Sequence, residues 1–147
     1  MIALGADHGG FRLKEAIKKE LDSQKIEYKD FGTTGEASVD YAPIAAQVAH
    51  FVAGGGAEKG ILCCGTGIGM SMAANKVGGI RAAVCSDAYC AEITRRHNNA
   101  NILCLGGRVI SEEQAVEFAC LFLNTPFEGG RHQRRIDEIA AIERGEL

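Results

Sequence analysis

Two adjacent cysteines, Cys63 and Cys64, end the apolar run Gly60-Ile-Leu-Cys-Cys64 and directly precede Gly65-Thr-Gly-Ile-Gly-Met70. The order reads as a buried strand, a tight turn of backbone N–H groups, and then a helix-like segment from Ser71 to Lys76. Amides in such a turn lack intrahelical acceptors and sit at the positive end of the helix dipole, so the turn attracts anions. A sulfur beside them stands where negative charge is stabilised, which suits a base or a nucleophile. Side chains alternate along a strand, so Cys63 and Cys64 project to opposite faces. Free cysteine more often simply packs. Nearness to the turn favours Cys64 slightly, and spacing alone leaves the choice open.

The glycines of Gly65-x-Gly-x-Gly69 do not have the dinucleotide spacing, which places two residues between the last pair. An acidic ribose ligand at the expected distance is also missing, because Asp87 is better used as a helix cap. A cradle for a general anion or an enediolate fits this turn better. Asp7 and His8 follow the first strand and precede a glycine pair, a position where polar groups meet ligand, which favours a functional role; a cap for the next helix would explain Asp7 but would not call for His8. His97, in Arg95-Arg-His-Asn-Asn99, falls at a helix C-terminus, where the dipole favours a protonated imidazole. It reads equally well as an acid or as a solvent-exposed cap. Arg131 and Arg135 are four apart and share a helix face, where two guanidiniums could grip a phosphate; a solvated basic face balanced by Asp137, Glu138 and Glu143 is the simpler reading in isolation. Arg108, after two glycines at a strand end, strengthens the phosphate reading. His50 lies within a helix and reads as structural.

The elements that must position these groups follow from apolar periodicity. Strands are expected at Ile2–Ala6, Ile26–Phe31, Lys59–Cys64, Ile80–Cys85 and Asn101–Leu105. Helices are expected from Phe11 to Gln24, from Tyr41 to Val52 behind Asp40, to about Lys76 after the glycine turn, and from Asp87 to about Arg96. A capping box, Ser111-Glu-Glu-Gln114, opens Ala115–Leu123, and Gly129-Gly130 precedes a last helix, Arg131–Glu143. Strands alternating with helices imply an α/β, three-layer αβα Rossmann-like sandwich with a five-stranded parallel sheet. Its ligand crevice lies beyond the carboxyl ends of the strands. The last helix has no strand to pack beside, yet Ile136, Ile139 and Ala140 give it an apolar side; it is expected to pack on a partner subunit in a homodimer or a multiple of one.

The 147 residues suit one domain, 1–147, with a single sizeable core. A net charge of −3 argues against a general nucleic-acid surface, and no apolar stretch is long enough to cross a bilayer. No signal peptide opens the sequence, and the six cysteines form no C-x-x-C pair. A cytoplasmic protein with reduced thiols is expected.

Asp7-His-Gly-Gly10, Gly60-Ile-Leu-Cys-Cys-Gly-Thr-Gly-Ile-Gly69, Ala73-Ala-Asn-Lys-x-x-Gly-Ile-Arg81, Arg96-His-Asn-Asn-Ala-Asn101 and Glu128-Gly-Gly-Arg-His-Gln-x-Arg135 occur together and in order. Over essentially its whole length the chain resembles the ribose-5-phosphate isomerase B family, which includes the galactose-6-phosphate isomerase subunits. The resemblance implies interconversion of ribose 5-phosphate and ribulose 5-phosphate in pentose phosphate metabolism, without metal or organic cofactor. It implies Cys64 as the base, with the amides of Gly65, Thr66, Gly67, Ile68 and Gly69 holding the enediolate and Thr66 moving a proton between its oxygens. His97 would open the furanose ring with help from Asp7, Asn98 would bind sugar hydroxyls, and Tyr41 would line the site. His8, Arg108, Arg131 and Arg135 would hold the phosphate, the tail arginines serving the neighbouring subunit of a dimer with shared sites. One branch of the family carries a glutamate base where this chain has Met70, which cannot accept a proton; the chain goes with the cysteine branch. The intact His-Asn-Asn and Gly-Gly-Arg-His motifs favour a pentose phosphate over galactose 6-phosphate, with allose 6-phosphate as an alternative substrate.

Overall fold

Strands and helices alternate as the apolar pattern predicts. The computed structural model describes residues 1–147: β1 (Ile2–Ala6), α1 (Phe11–Ser23), β2 (Tyr28–Asp30), α2 (Tyr41–Ala53), β3 (Lys59–Cys64), α3 (Ile68–Ala74), β4 (Ala82–Val84), α4 (Ala88–Asn98), β5 (Ile102–Gly106), α5 (Glu112–Asn124) and α6 (Arg131–Glu143). All five strands are parallel, in the order β2-β1-β3-β5-β4. The central strands β1 and β5 are buried throughout, and β3 from its second residue on, as two-sided coverage requires. Leu13, Ile17 and Leu21 of α1 pack with Ala91 of α4 and Phe118 and Phe122 of α5 on one face. Ala45, Val48, Ala49 and Val52 of α2 pack with Met70 and Ala74 of α3 on the other. Each large buried apolar side chain contributes about 1.5–3 kcal/mol, and the two layers together give the expected αβα sandwich.

The limits of β3 and α6 match the sequence expectation, and the edge strands do not. β2 starts at Tyr28 rather than Ile26, because Lys25 turns the chain at φ 57° just before it. β4 is reduced to three residues. The side-chain amide of Asn75 bonds both the N–H and the C=O of Ala82, at 2.8 and 3.0 Å, so it closes off α3 at Ala74 while supporting the sheet edge. Asp87 caps α4 by accepting from the Cys90 N–H at 2.7 Å, and the Ser111–Gln114 capping box is complete. Asp40 precedes α2 without a side-chain cap bond. No helix of the chain is long and apolar enough to cross a membrane.

Lys14 breaks the apolar stripe of α1, yet its side chain is 1% exposed. Its ammonium donates to both Asp30 carboxylate oxygens at 2.8 and 2.9 Å and to the Thr33 carbonyl at 2.5 Å. Lys18 adds a second bond to Asp30 at 2.9 Å. A buried ammonium is tolerable only when each N–H finds an acceptor, and here all three do. The result ties α1 to the end of β2 and to the loop that follows it. Burial alone would push the Asp30 carboxyl up; the bonds from Lys14, Lys18 and the Gly32 amide outweigh it and hold the carboxyl below its ordinary value. A carboxyl depressed on folding stabilises the protein above its unfolded value of 3.8, and that contribution is lost as pH falls through the folded value. Asp30→Asn is therefore expected to lower neutral-pH stability by roughly 2 kcal/mol, less than for a fully buried pair because Asp30 is partly exposed. It should also flatten the acid limb, and urea unfolding between pH 7 and pH 3 measures both effects.

Candidate active site

β2 and β3 flank β1 on opposite sides, so the connections leaving β1 and β3 diverge and open a crevice at their carboxyl ends. The three loops that meet there approach one another closely at their backbones. A Cβ on Gly10 would lie 2.1 Å from the Cys63 carbonyl carbon, one on Gly107 2.1 Å from the Gly9 oxygen, and one on Gly106 2.7 Å from the Thr66 carbonyl carbon. Backbone bonds join the same loops: Asp7 N–H to Cys63 C=O at 3.1 Å, Gly107 N–H to Cys64 C=O at 2.8 Å and Arg108 N–H to Gly65 C=O at 2.9 Å.

Alternation along β3 sends Cys63 into the core beneath α1 and α5 and Cys64 toward α2 and α3. Cys63 is fully buried, and burial pushes its thiol well above the ordinary thiol range. The Cys64 sulfur accepts the Gly67 N–H at 3.1 Å. Gly67 adopts φ +82°, a left-handed conformation open to glycine, and that turn aims the amide back at the sulfur. Ile68 N–H donates to the Thr66 hydroxyl at 3.2 Å, while the Gly65, Thr66 and Gly69 amides make no bond to the surrounding loops.

Around this turn the structure gathers Asp7, His8, Tyr41 and Arg108. The buried Asp7 accepts the Gly9 and Gly10 N–H groups at 2.8 and 3.2 Å, so it shapes its own loop into α1. His8 Nδ1 accepts the Val39 N–H at 3.2 Å, which leaves Nε2 to carry the proton of the neutral ring. The Tyr41 ring lies against Gly69, where a Cβ would approach it to 2.6 Å, and the Arg108 guanidinium lies 3.0 Å from the corresponding point on Gly65. Ile68 is half-exposed at the mouth.

The remaining expected site residues lie at the opposite end of the sheet. α4 runs back from the end of β4, so His97 and Asn98 arrive beside the start of β5; Asn98 C=O accepts from Arg81, just before β4, at 3.1 Å. Gly60 pairs with Ile102 and Cys64 with Gly106, so the two ends are separated by at least about 13 Å of strand. Arg131 and Arg135 open α6 nearby, close enough for their charges to act on His132. The His97 ring stacks on His132 with centroids 4.1 Å apart and planes 14° from parallel. Glu128 stands 3.5 Å from His132 Nε2 and 4.0 Å from His97 Nε2. His97, Glu128 and His132 could be taken for a metal cluster. Near-parallel stacked rings, however, cannot both aim in-plane lone pairs at one ion about 2.0–2.1 Å from each nitrogen. A buried arginine holds this end together: Arg95 donates to the Asn99 side chain at 2.8 Å, to Ala100 C=O at 2.6 Å and to Thr125 C=O at 3.2 Å. Sequence reasoning missed Glu128 and His132 as partners of His97; their i,i+4 spacing within the Gly-Gly-Arg-His motif was the available signal.

A thiol, open backbone amides and a guanidinium gathered at the switch point of a parallel α/β sandwich are groups from which an enzyme site can be built. The pattern of the family described as Ribose/Galactose Isomerase matches residues 2–139. The chain is 49% identical over 142 residues to ribose-5-phosphate isomerase B of Escherichia coli, covering 97% of this chain and 95% of that one. It superposes on ribose-5-phosphate isomerase B of Clostridium thermocellum with a TM-score of 0.96 at 46% identity, over 99% of both chains. It also superposes on the Mycoplasma genitalium enzyme of that name with bound ribulose-5-phosphate, with a TM-score of 0.93 at 41% identity over 97% of this chain and 95% of that one. The chain belongs to the ribose/galactose isomerase family, and it is an isomerase.

The contrast between the two adjacent thiols is directly measurable. Alkylation of the native protein at neutral pH, read by mass spectrometry, should label Cys64 well ahead of Cys63, Cys85 and Cys104, all of which burial pushes up, Cys85 to about 12. Earlier labelling of Cys63 would place the wrong thiol in the crevice.

Proposed function

We propose that the chain interconverts D-ribose 5-phosphate and D-ribulose 5-phosphate through a cis-enediolate, with Cys64 as the base. The observation that carries this reading is the Gly67 N–H on the Cys64 sulfur, in a turn whose Gly65, Thr66 and Gly69 amides are open. A thiolate there takes the C2 proton of the open-chain aldose and returns it to C1. The charge that moves onto the substrate oxygens meets the Gly65, Thr66 and Gly69 amides, the preorganised donors expected to dominate such catalysis. The Thr66 hydroxyl shuttles the remaining proton from O2 to O1. His97 protonates the ring oxygen as the furanose opens, Asp7 takes the proton of the anomeric hydroxyl, and Asn98 holds sugar hydroxyls. Tyr41 lines the crevice, and His8, Arg108, Arg131 and Arg135 hold the phosphate. The protein handles only protons: Cys64, Thr66, His97 and Asp7 give or take them, and the backbone amides hold the developing charge by hydrogen bonds.

Cys64 and His97 stand at opposite ends of one chain, so a site using both draws them from two copies. Supporting this assembly, α6 leaves Ile139 and Ile142 48% and 59% exposed beside Ile80, Ala82 and Ala83, an apolar groove along the sheet edge that a second copy would cover. The working unit in this reading is a homodimer with shared sites, free of metal and organic cofactor.

Two measurements test the reading. Cys64→Ala is expected to lower turnover by at least about 10³-fold, in the range of a lost general base, while Cys63→Ser keeps the chemistry; near wild-type turnover in Cys64→Ala would remove the base assignment. Mixing the inactive Cys64→Ala and His97→Asn chains should restore about a quarter of wild-type activity, because half of the dimers are mixed and each then holds one intact site. Absence of any recovery on subunit exchange would place both residues in one chain's site.

A further inference from the structure

His132 and Glu128 sit in a motif that the proposed chemistry uses only through its arginines. The His132 Nε2 atom is buried and has no hydrogen-bond partner, in a side chain 9% exposed, and it lies 3.5 Å from the Glu128 carboxylate. Its ring is stacked face to face under His97. Glu128 in turn reaches His97 Nε2 at 4.0 Å, and its own backbone N–H bonds Arg96 C=O at 3.1 Å, which fixes the carboxylate beside the end of α4. Two imidazoles therefore share one carboxylate.

Two charged rings stacked at this distance repel, so the arrangement holds a single proton well and two protons badly. The surroundings decide which ring keeps it. Burial, followed by the charges of His97, Arg131 and Arg135, holds the His132 imidazole below its ordinary value, against the opposing pull of Glu128. His97 is the more exposed ring, and its Nε2 stands near the same Glu128 oxygen as the Nε2 of His132; Arg96, also near Glu128, is already paired with Glu92 at 2.8 Å.

Taking His97 as the ring-opening acid of the isomerase reading, we propose that His132 and Glu128 are positioning residues that hold one proton on His97. The neutral His132 ring serves as a stacked platform, and the Glu128 carboxylate orients and retains the imidazolium. The pair acts on ring opening and not on proton transfer at carbon.

Ribulose 5-phosphate has no free hydroxyl at C5 with which to close a furanose, so exchange of its C1 proton with solvent deuterium reports the Cys64 step without ring opening. Glu128→Gln, at a side chain 44% exposed, and His132→Phe, which keeps the stack and removes the second imidazole, are the test variants. Each is expected to lower kcat from ribose 5-phosphate by about 10-fold or more, part of the roughly 10²–10⁴-fold that a general acid itself supplies, while C1 exchange from ribulose 5-phosphate stays within about twofold of wild type. In the free enzyme, NMR titration of labelled histidine should show one ring of the pair titrating, with the His97 midpoint moving down in Glu128→Gln. Equal loss in both assays, or no loss in either, overturns the positioning role, as does unchanged titration of His97. Wild-type protein that neither turns over ribose 5-phosphate nor exchanges ribulose 5-phosphate would instead overturn the isomerase reading itself.

Discussion

The structure depends on a junction without side chains. Where β1, β3 and β5 end, three loops pass within van der Waals contact and hydrogen-bond to one another, and Gly10, Gly106 and Gly107 leave no room for a Cβ. The loops after β1 and β3 can therefore be treated as one surface. Asp7 is held in register with the Cys64 turn, and Arg108 with Gly65, by main-chain bonds that no rotamer change can loosen. Such a junction gives up side-chain burial and gains positional precision. The two flanking apolar layers supply the stability, and the buried Lys14–Asp30 clamp steadies the neighbouring loop after β2.

The two cysteines illustrate how little separates a sealed thiol from one that meets a backbone donor. A single step along β3 moves the sulfur from the sealed layer under α1 and α5 to the layer under α2 and α3, where the Gly67 amide meets it. Burial makes the Cys63 sulfur costly to charge; the left-handed turn at Gly67 brings an N–H donor to the other face only.

Much of this was legible in the sequence because it depends on local pattern. Apolar runs placed the five strands, alternation put Cys63 and Cys64 on opposite faces, and the capping box at Ser111–Gln114 formed as spelled. The lengths of β2 and β4 were not legible: edge strands are trimmed by neighbouring turns, here Lys25 and the Asn75–Ala82 pair, which are distant in sequence or conformationally unusual. Lys14 was invisible for a related reason, since a lysine within a helix looks like solvent-facing charge until Asp30 and Thr33 arrive from elsewhere in the chain. The site itself divided in the same way. Asp7, the Cys64 turn and Arg108 cluster because strand ends cluster, whereas the company His97 keeps depends on how the chain returns after α5.

That return is governed by Arg95, whose buried guanidinium grips the end of α4 and the segment leaving α5 at once. His97, Glu128 and His132 consequently travel as one rigid block. In the shared-site reading, a change in how two chains sit against each other would carry this block as a unit toward or away from a neighbour's crevice, so the hinge of the assembly lies between chains and not within one.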